Sequence, residues 1–87
     1  MPKHIIRTEE APRPIGPYSQ AIVANGFVYV AGQGGVDPAT GKLVAGGIAA
    51  ETRQTFENIR SILEAAGCSL ADVVSNNVYL VDMAEFP

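Results

Sequence analysis

The fold is decided by residues 20–31, which read Gln-Ala-Ile-Val-Ala-Asn-Gly-Phe-Val-Tyr-Val-Ala. Two apolar runs, residues 20–24 and 27–33, flank the dipeptide Asn25-Gly26. Both residues of this dipeptide tolerate the positive φ of a type I′ turn, and Asn-Gly between apolar runs is the strongest short-range hairpin signal. The stretch therefore predicts that residues 20–24 pair antiparallel with the run that follows the turn.

The second run is apolar on both faces of its strand. Phe27, Tyr29 and Ala31 point one way, and Val28 and Val30 point the other. A strand with one solvated face would alternate apolar and polar side chains. We therefore expect each face of the sheet to be covered by another part of the structure.

A helical period follows the strands at residues 48–66. The predicted apolar stripe consists of Thr52, Phe56, Ile59, Leu63 and Ala66, at spacings of 4, 3, 4 and 3. These spacings place the five side chains on one side of a helix. One such stripe can cover one face of the sheet but not both.

Shorter features complete the secondary-structure prediction. We expect a first strand, a loop, a Pro-Gly turn, one turn of helix and a last strand at residues 3–7, 8–17, 37–41, 69–72 and 73–82. Gly67 is predicted to end the long helix in the left-handed conformation. On the polar side of the helix, the spacing favours two ion pairs, Arg53–Glu57 and Arg60–Glu64.

Composition limits the classes of function. The chain has 87 residues, of which 47% are apolar and 17% charged, so one packed domain is expected rather than disorder. The formal net charge of -3 argues against binding to nucleic acid or to an anionic membrane through clustered cations. The longest apolar run has five residues, whereas a membrane span needs about 20. We expect a cytoplasmic protein.

Histidine and cysteine each occur once. His4 and Cys68 cannot build a disulfide framework or a four-ligand zinc site within one chain. We expect His4 at the surface and Cys68 to pack as a small apolar side chain. No metal and no cofactor is predicted.

Several segments, in order and at their spacing, resemble the RidA/YjgF family of reactive-intermediate deaminases. They read Ala-Pro, Ile-Gly-Pro-Tyr-Ser-Gln-Ala, Val-Ala-Gly-Gln, Asp-Pro-Ala-Thr-Gly, Thr-Arg-Gln-Thr-Phe-Glu-Asn and Val-Tyr-Leu-Val-Asp-Met, at residues 11–12, 15–21, 30–33, 37–41, 52–58 and 78–83. The resemblance covers nearly the whole chain. It implies an α+β fold, with a mostly antiparallel sheet and a helix packed on one face, assembled as a chorismate-mutase-like homotrimer with a ligand cleft at each subunit interface.

The implied activity is that of a 2-iminobutanoate/2-iminopropanoate deaminase. Such enzymes hydrolyse enamines and imines to 2-oxo acids and ammonia, without a cofactor. The resemblance marks Tyr18 as a substrate-binding residue. Gly32 ends a buried strand, and its missing Cβ would let a ligand approach the main chain, so we expect it to bind substrate as well. Ala31 stands where many relatives have Ser. Two simpler interpretations stay open: Tyr18 could only pack its ring, and Gly32 could only form a bend.

The resemblance also implies that residues 1–87 are an incomplete domain. The family's second helix, its last strands, its substrate-binding arginine and its acidic residue would lie beyond Pro87. We therefore expect the complete protein to be an enzyme and this chain alone to be inactive.

A second hypothesis is a binding or regulatory relative without deaminase chemistry. Members of the family have been labelled translation inhibitors and endoribonucleases. A ribonuclease would need a basic surface and an acid–base pair at the scissile phosphate, and the acidic balance and single His of this chain oppose that.

Overall fold

The computed structural model describes residues 3–14, 16, 18–76 and 78, which form an antiparallel sheet and one long helix. The strands are β1 (Lys3–Ile6), β2 (Ala21–Ala24) and β3 (Phe27–Val30), in the order β1-β2-β3. Helix α1 (Gly47–Ala65) follows, and a 3₁₀ turn, Leu70–Asp72, comes after it. The predicted α+β class is confirmed.

The predicted hairpin is also confirmed. β2 and β3 pair antiparallel from Ala24 opposite Phe27 to Ala21 opposite Val30. Asn25 has φ 52° and Gly26 has φ 78°, so both turn residues take the positive φ that a type I′ turn requires. β1 adds to the other edge of β2 and ends one residue earlier than predicted.

The core lies between one face of the sheet and α1. Ala11, Ala21 and Ile62 are buried there, and the strand side chains Val28 and Val30 pack against them. Since α1 meets the sheet on the face of Val28 and Val30, it covers one face only, as expected.

The other face of the sheet is open in the part of the chain that the structure describes. Ile5, Ile22 and Tyr29 stand in one row across the three strands. Ile5 is 59% exposed and Tyr29 60%, and Phe27 on the same face is 56% exposed. We call this surface, formed by Ile5, Ile22, Phe27 and Tyr29, the open face.

The predicted apolar stripe of α1 is partly wrong. Of its members, Leu63 is buried, but Thr52 is exposed and so is Phe56. The buried side chains of α1 are Asn58, Ile62 and Leu63, so the contact face is rotated away from Thr52 and Phe56. The rotation turns the polar side chain of Asn58 inward, where it donates hydrogen bonds to the backbone carbonyl groups of Gly34 and Val36.

The C-terminus of α1 follows the prediction. Gly67 has φ 83°, its N–H donates to the Glu64 carbonyl at 3.0 Å, and the Cys68 N–H donates to the Leu63 carbonyl at 2.7 Å. These two bonds form a Schellman motif, which satisfies carbonyl groups that the helix leaves without partners. Cys68 itself is half-buried.

The ion pair on α1 differs from the predicted pairs. Within the described residues, Arg60 pairs with Glu57, three positions earlier, rather than with Glu64. Both side chains are about half exposed, so solvent screens the pair and its contribution to stability is small. His4 is exposed on β1, as predicted.

The last predicted elements have mixed outcomes. Ser69 and Asp72 form a capping box around the 3₁₀ turn, which confirms the helical turn at residues 69–72. The strand predicted for residues 73–82 is wrong where it can be compared, because residues 73–76 and 78 are exposed and unpaired with any strand. Residues 77 and 79–82 lie outside the described residues. None of the helices in the described ranges is long and apolar enough to cross a bilayer.

Candidate functional site

Tyr18 and Gly32 line the same cleft. Its walls come from three segments of chain: the loop before β2, the stretch after β3, and the turn at residues 38–41. The structure thus brings together two residues that lie 14 positions apart in the sequence, Tyr18 on one wall and Gly32 on the other. Their role in binding substrate stays a prediction.

Tyr18 is half exposed and lies beside Gly16. The Tyr18 N–H donates to the Gly16 carbonyl at 2.9 Å. A Cβ atom placed on Gly16 would lie 3.5 Å from Cε2 of the Tyr18 ring, so the ring already packs against this glycine. Tyr18 also lines a second depression, together with Ile5 and Tyr29 of the open face. Tyr18 therefore stands where the cleft meets the open face.

Gly32 is exposed and has free space around it. A Cβ atom built on Gly32 meets no atom of the described chain within 4 Å. Neither crowding nor a positive φ requires glycine at this position. The space above its backbone is open to a ligand, which is the arrangement that the substrate-binding interpretation needs.

Gln20 fixes the loop wall of the cleft. Its side chain is 3% exposed. Its Oε1 accepts from the Thr8 N–H at 2.7 Å, and its Nε2 donates to the carbonyl groups of Thr8, Ala11 and Pro12 at 3.0, 3.2 and 2.9 Å. Buried backbone groups of a loop need such partners, because a loop lacks the regular backbone hydrogen bonds of a helix or sheet.

Asn58 fixes the opposite wall. The side chain is fully buried, and its Nδ2 donates to the carbonyl groups of Gly34 at 3.1 Å and Val36 at 2.9 Å. Its Oδ1 accepts from Gln54 Nε2 at 2.9 Å. One amide thus holds the stretch after β3 against α1 with every polar atom satisfied.

Gly35 allows that stretch to approach α1 closely. A Cβ atom on Gly35 would lie 2.7 Å from the Glu51 Cα and 2.8 Å from the Glu51 Cβ. Real Cβ atoms do not come that near to backbone, so any side chain here would push the loop away from the helix. A Cβ atom placed on the neighbouring Gly34 would have no atom within 4 Å.

The turn at residues 37–41 closes the cleft. The Asp37 carbonyl accepts from the Gly41 N–H at 2.8 Å, and the Asp37 Oδ1 accepts from the Ala39 N–H at 2.8 Å. The Asp side chain thereby repeats the hydrogen-bonding pattern of a turn, as Asp commonly does. The Pro-Gly turn predicted from the sequence is confirmed.

Sequence reasoning missed Gln20, Asn58 and Gly35. A signal existed for Asn58, which stands among helix positions spaced with Thr55 and Ile62, and polar side chains at such positions require partners. Gln20 was assigned to the first strand of the hairpin, and the loop carbonyl groups that it binds could not be foreseen.

One charged side chain lines the described part of the cleft, that of Arg13. Over the described ranges, no group of three or more His, Cys, Asp or Glu side chains is placed to hold a metal ion.

Comparison with known families decides the classification. Residues 8–87 match the family described as Endoribonuclease L-PSP. The chain belongs to this family. The L-PSP family is the RidA/YjgF family of the sequence prediction, which is therefore confirmed.

Individual L-PSP relatives agree in sequence and in fold. A RutC family protein of Pyrococcus horikoshii is 58% identical over 84 residues, which are 97% of this chain and 67% of that protein. The human 2-iminobutanoate/2-iminopropanoate deaminase is 45% identical over 97% of this chain and 61% of its own length. The crystal structure of yeast Mmf1 superimposes with a TM-score of 0.92 at 40% identity, covering 98% of this chain and 67% of that one. The chain thus spans about two thirds of these relatives.

Proposed function

We propose that this chain supplies the substrate cleft of a deaminase that hydrolyses 2-imino acids and their enamine tautomers to 2-oxo acids and ammonia. The observation that carries the proposal is the meeting of Tyr18 and Gly32 in one cleft. Relatives named 2-iminobutanoate/2-iminopropanoate deaminase, 45% to 49% identical to this chain, support the same chemistry.

The reaction needs water, a bound imine and little else. Water adds across the C2=N bond: its oxygen bonds to C2 and one of its protons goes to the nitrogen, which gives a carbinolamine. The hydroxyl group then gives its proton to the nitrogen, the C–N bond breaks, ammonia leaves, and the C–O bond becomes the carbonyl of the 2-oxo acid. A Tyr18 hydroxyl within reach of the substrate or of the attacking water would orient one of them, and the free space at Gly32 lets the substrate lie against the backbone.

The assembly belongs to the same proposal. Burying a Val-sized side chain stabilises by about 1.5 to 3 kcal/mol, so the exposed Ile5, Phe27 and Tyr29 make the open face a surface for association. We infer a homotrimer in which a neighbouring subunit covers this face. Because Tyr18 borders both the cleft and the open face, the neighbour would then lie beside the substrate.

We also infer that the protein works in the cytoplasm on small molecules. Cys68, a free thiol in the described chain, suits a compartment that keeps thiols reduced.

The experiment uses the chain extended to the length of its relatives. 2-Iminobutanoate is generated in the assay by an amino acid oxidase, and its loss is followed against the uncatalysed rate. The extended protein should accelerate hydrolysis, and Tyr18→Phe should lower kcat about tenfold, because it removes one hydrogen bond that is used in the reaction. A rate equal to the uncatalysed one would refute the proposal.

A second candidate, a binding protein or ribonuclease, rests on the family description itself, Endoribonuclease L-PSP. The formal net charge of -3 favours the deaminase. Incubation of the extended protein with single-stranded RNA separates the two, because the deaminase should leave the RNA intact while hydrolysing the imine.

A further inference from the structure

Gln20 closes the loop that carries Tyr18. The loop comprises residues 8–20, and its described residues belong to no helix or strand. The Gln20 side chain binds the first part of the loop at Thr8, Ala11 and Pro12, which lie 8 to 12 positions before it. Tyr18 lies in the segment between the two ends of this closure. Its position therefore depends on how the loop is closed.

Both ends of the closure are anchored to the rest of the fold. Ala11 is 2% exposed and lies in the core with Ala21 and Ile62. The Gln20 carbonyl accepts from the Ala31 N–H at 2.9 Å, which extends the pairing of β2 and β3 by one step. The Gln20 amide therefore connects a fixed point in the core with a fixed point on the sheet.

Both polar atoms of the Gln20 side chain are used for this closure. Its Oε1 accepts one hydrogen bond and its Nε2 donates three, and every partner is a backbone group of the loop. An amide nitrogen has two N–H groups, so one of them is shared between two carbonyl oxygens. Without the amide, these backbone groups would lose their partner, and other conformations of the loop would become competitive in free energy.

The proposed reaction needs Tyr18 in one place. Its hydroxyl orients the substrate or the attacking water, and a displacement of about 1 Å in such a group can lower a rate about 100-fold. The Tyr18 side chain is half exposed, so packing holds its ring less firmly than it holds a core side chain. A fixed loop backbone therefore contributes to the position of the ring.

We propose that Gln20 is a positioning residue for Tyr18: by closing the loop, it sets where the Tyr18 ring stands in the cleft. The amide of Gln20 is occupied by the backbone and takes no part in the hydrolysis. The effect on rate rests on the proposed function, whereas the position of the ring is a property of the fold alone.

A double-mutant cycle in the extended protein tests whether Gln20 acts through Tyr18. Gln20→Met keeps the length of the side chain and removes its four hydrogen bonds, but leaves the backbone bond to Ala31 possible. We expect kcat for 2-iminobutanoate, corrected for the folded fraction, to fall about fivefold, because fewer molecules hold the ring in place. In the Tyr18→Phe background the same substitution should lower kcat less than about twofold, because the hydroxyl is already absent.

Asn58→Ala is the matched control for this cycle. Asn58 is also a buried amide that holds two loop carbonyl groups, but it holds the other wall of the cleft. Its effect on kcat should be the same in the wild-type and Tyr18→Phe backgrounds. If Gln20→Met does not fold, Gln20→Asn, which shortens the side chain but keeps the amide, takes its place with the same expectation.

Three outcomes of the cycle would overturn the proposal. The first is an equal loss of kcat from the Gln20 substitution in both backgrounds, and the second is no loss in either. The third is an effect of Asn58→Ala that also disappears in the Tyr18→Phe background, since that would indicate a general loosening of the cleft.

A second measurement does not depend on turnover. The extended protein is labelled with meta-fluorotyrosine, and the fluorine NMR signal of Tyr18 is identified by its loss in Tyr18→Phe. Gln20→Met should shift or broaden this signal, and Asn58→Ala should change it less. If the wild type hydrolyses no imine but Gln20→Met changes the signal, the proposed function fails and the positioning role stands. If the imine is hydrolysed and the signal is unchanged in Gln20→Met, the positioning role fails and the proposed function stands.

Discussion

Two buried amide side chains, those of Gln20 and Asn58, join the walls of the cleft to the rest of the fold. Each is satisfied by main-chain groups of a loop rather than by another side chain, except for the bond from Gln54 to Asn58. Loops lack the regular backbone hydrogen bonds of helices and sheets, so they rely on such side-chain bonds to keep one conformation. The shape of the cleft therefore depends in part on Asn58, a side chain that does not itself line the cleft.

Replacing Asn58 tests this dependence. Asn58→Ala leaves the carbonyl groups of Gly34 and Val36 without their donor and opens a cavity, so we expect a loss of about 2 to 4 kcal/mol in the free energy of unfolding. The measurement is chemical denaturation of the extended protein. The exposed Asn76→Ala is the control and should change stability by less than about 0.5 kcal/mol. Equal effects of the two variants would contradict the role given to Asn58.

Asn58→Asp adds a pH dependence. Burial and the two facing carbonyl oxygens should raise the pKa of the new carboxyl above its unfolded value of about 3.9. A raised pKa means that the folded state binds the proton more tightly, so the variant is most stable in acid. Its stability should fall as pH rises from the unfolded value through the folded one, relative to wild type at each pH. A variant that gains stability over this range would show that the site is not buried as described.

Gly35 offers a test based on space. Gly35→Ala would place its Cβ 2.7 Å from the Glu51 Cα, so the loop must move away from α1, at a cost of about 1 to 3 kcal/mol in stability. Gly34→Ala meets nothing within 4 Å and serves as the matched control. In thermal denaturation, Gly35→Ala should have a clearly lower Tm than Gly34→Ala. A lower Tm for Gly34→Ala would contradict the close approach of Gly35 to α1.

At the scale of elements, two alanine variants distinguish the observed contact face of α1 from the face that the sequence predicted. Ile62 is 0% exposed, and Ile62→Ala should cost about 2 to 5 kcal/mol. Thr52 belongs to the predicted stripe but is exposed, so Thr52→Ala should change stability by less than about 0.5 kcal/mol. Denaturation of both variants decides between the two faces. A larger loss for Thr52→Ala would restore the face predicted from spacing.

Features set by residues close together in the sequence were predicted correctly, whereas features set by residues far apart in the sequence were not. The hairpin at Asn25-Gly26 and the helix end at Gly67 were predictable, because a few neighbouring residues determine each one. The contact face of α1 was not, because Asn58 is turned inward by carbonyl groups 22 and 24 positions away. Within the site, the motif resemblance identified Tyr18 and the missing Cβ identified Gly32, whereas the cleft that both residues line required the folded chain.

At the scale of the whole molecule, activity should depend on length. The resemblance implies a substrate-binding arginine outside residues 1–87, so we expect these residues alone not to accelerate hydrolysis of 2-aminoacrylate. The version extended to family length should. A missing charge-assisted pair is worth about 1.5 to 3 kcal/mol, or about one to two decades in affinity. Rates within about tenfold of each other would show that the arginine has been misjudged.

The open face leads to a prediction about assembly. The extended protein should sediment as a trimer at micromolar concentration, and Tyr29→Lys should shift it toward monomer, because a charge would be buried in the interface. Thr52→Lys adds the same charge to an exposed position of α1 and should leave the trimer intact. A monomeric wild type, or an unchanged mass for Tyr29→Lys, would mean that another surface serves for association.

The register of the sheet has a consequence for the order of folding. β2 and β3 are closed by a two-residue turn, whereas Lys3 of β1 pairs with Ala24, 21 positions away. Short closures cost less entropy, so the hairpin should form first, within about 1 to 10 μs, and β1 should dock afterwards. During synthesis β1 leaves the ribosome first, but it pairs last. Until the hairpin has formed, Ile5 and Ile6 are therefore exposed to solvent. We expect Val28→Ala to slow refolding, and Ile6→Ala mainly to speed unfolding.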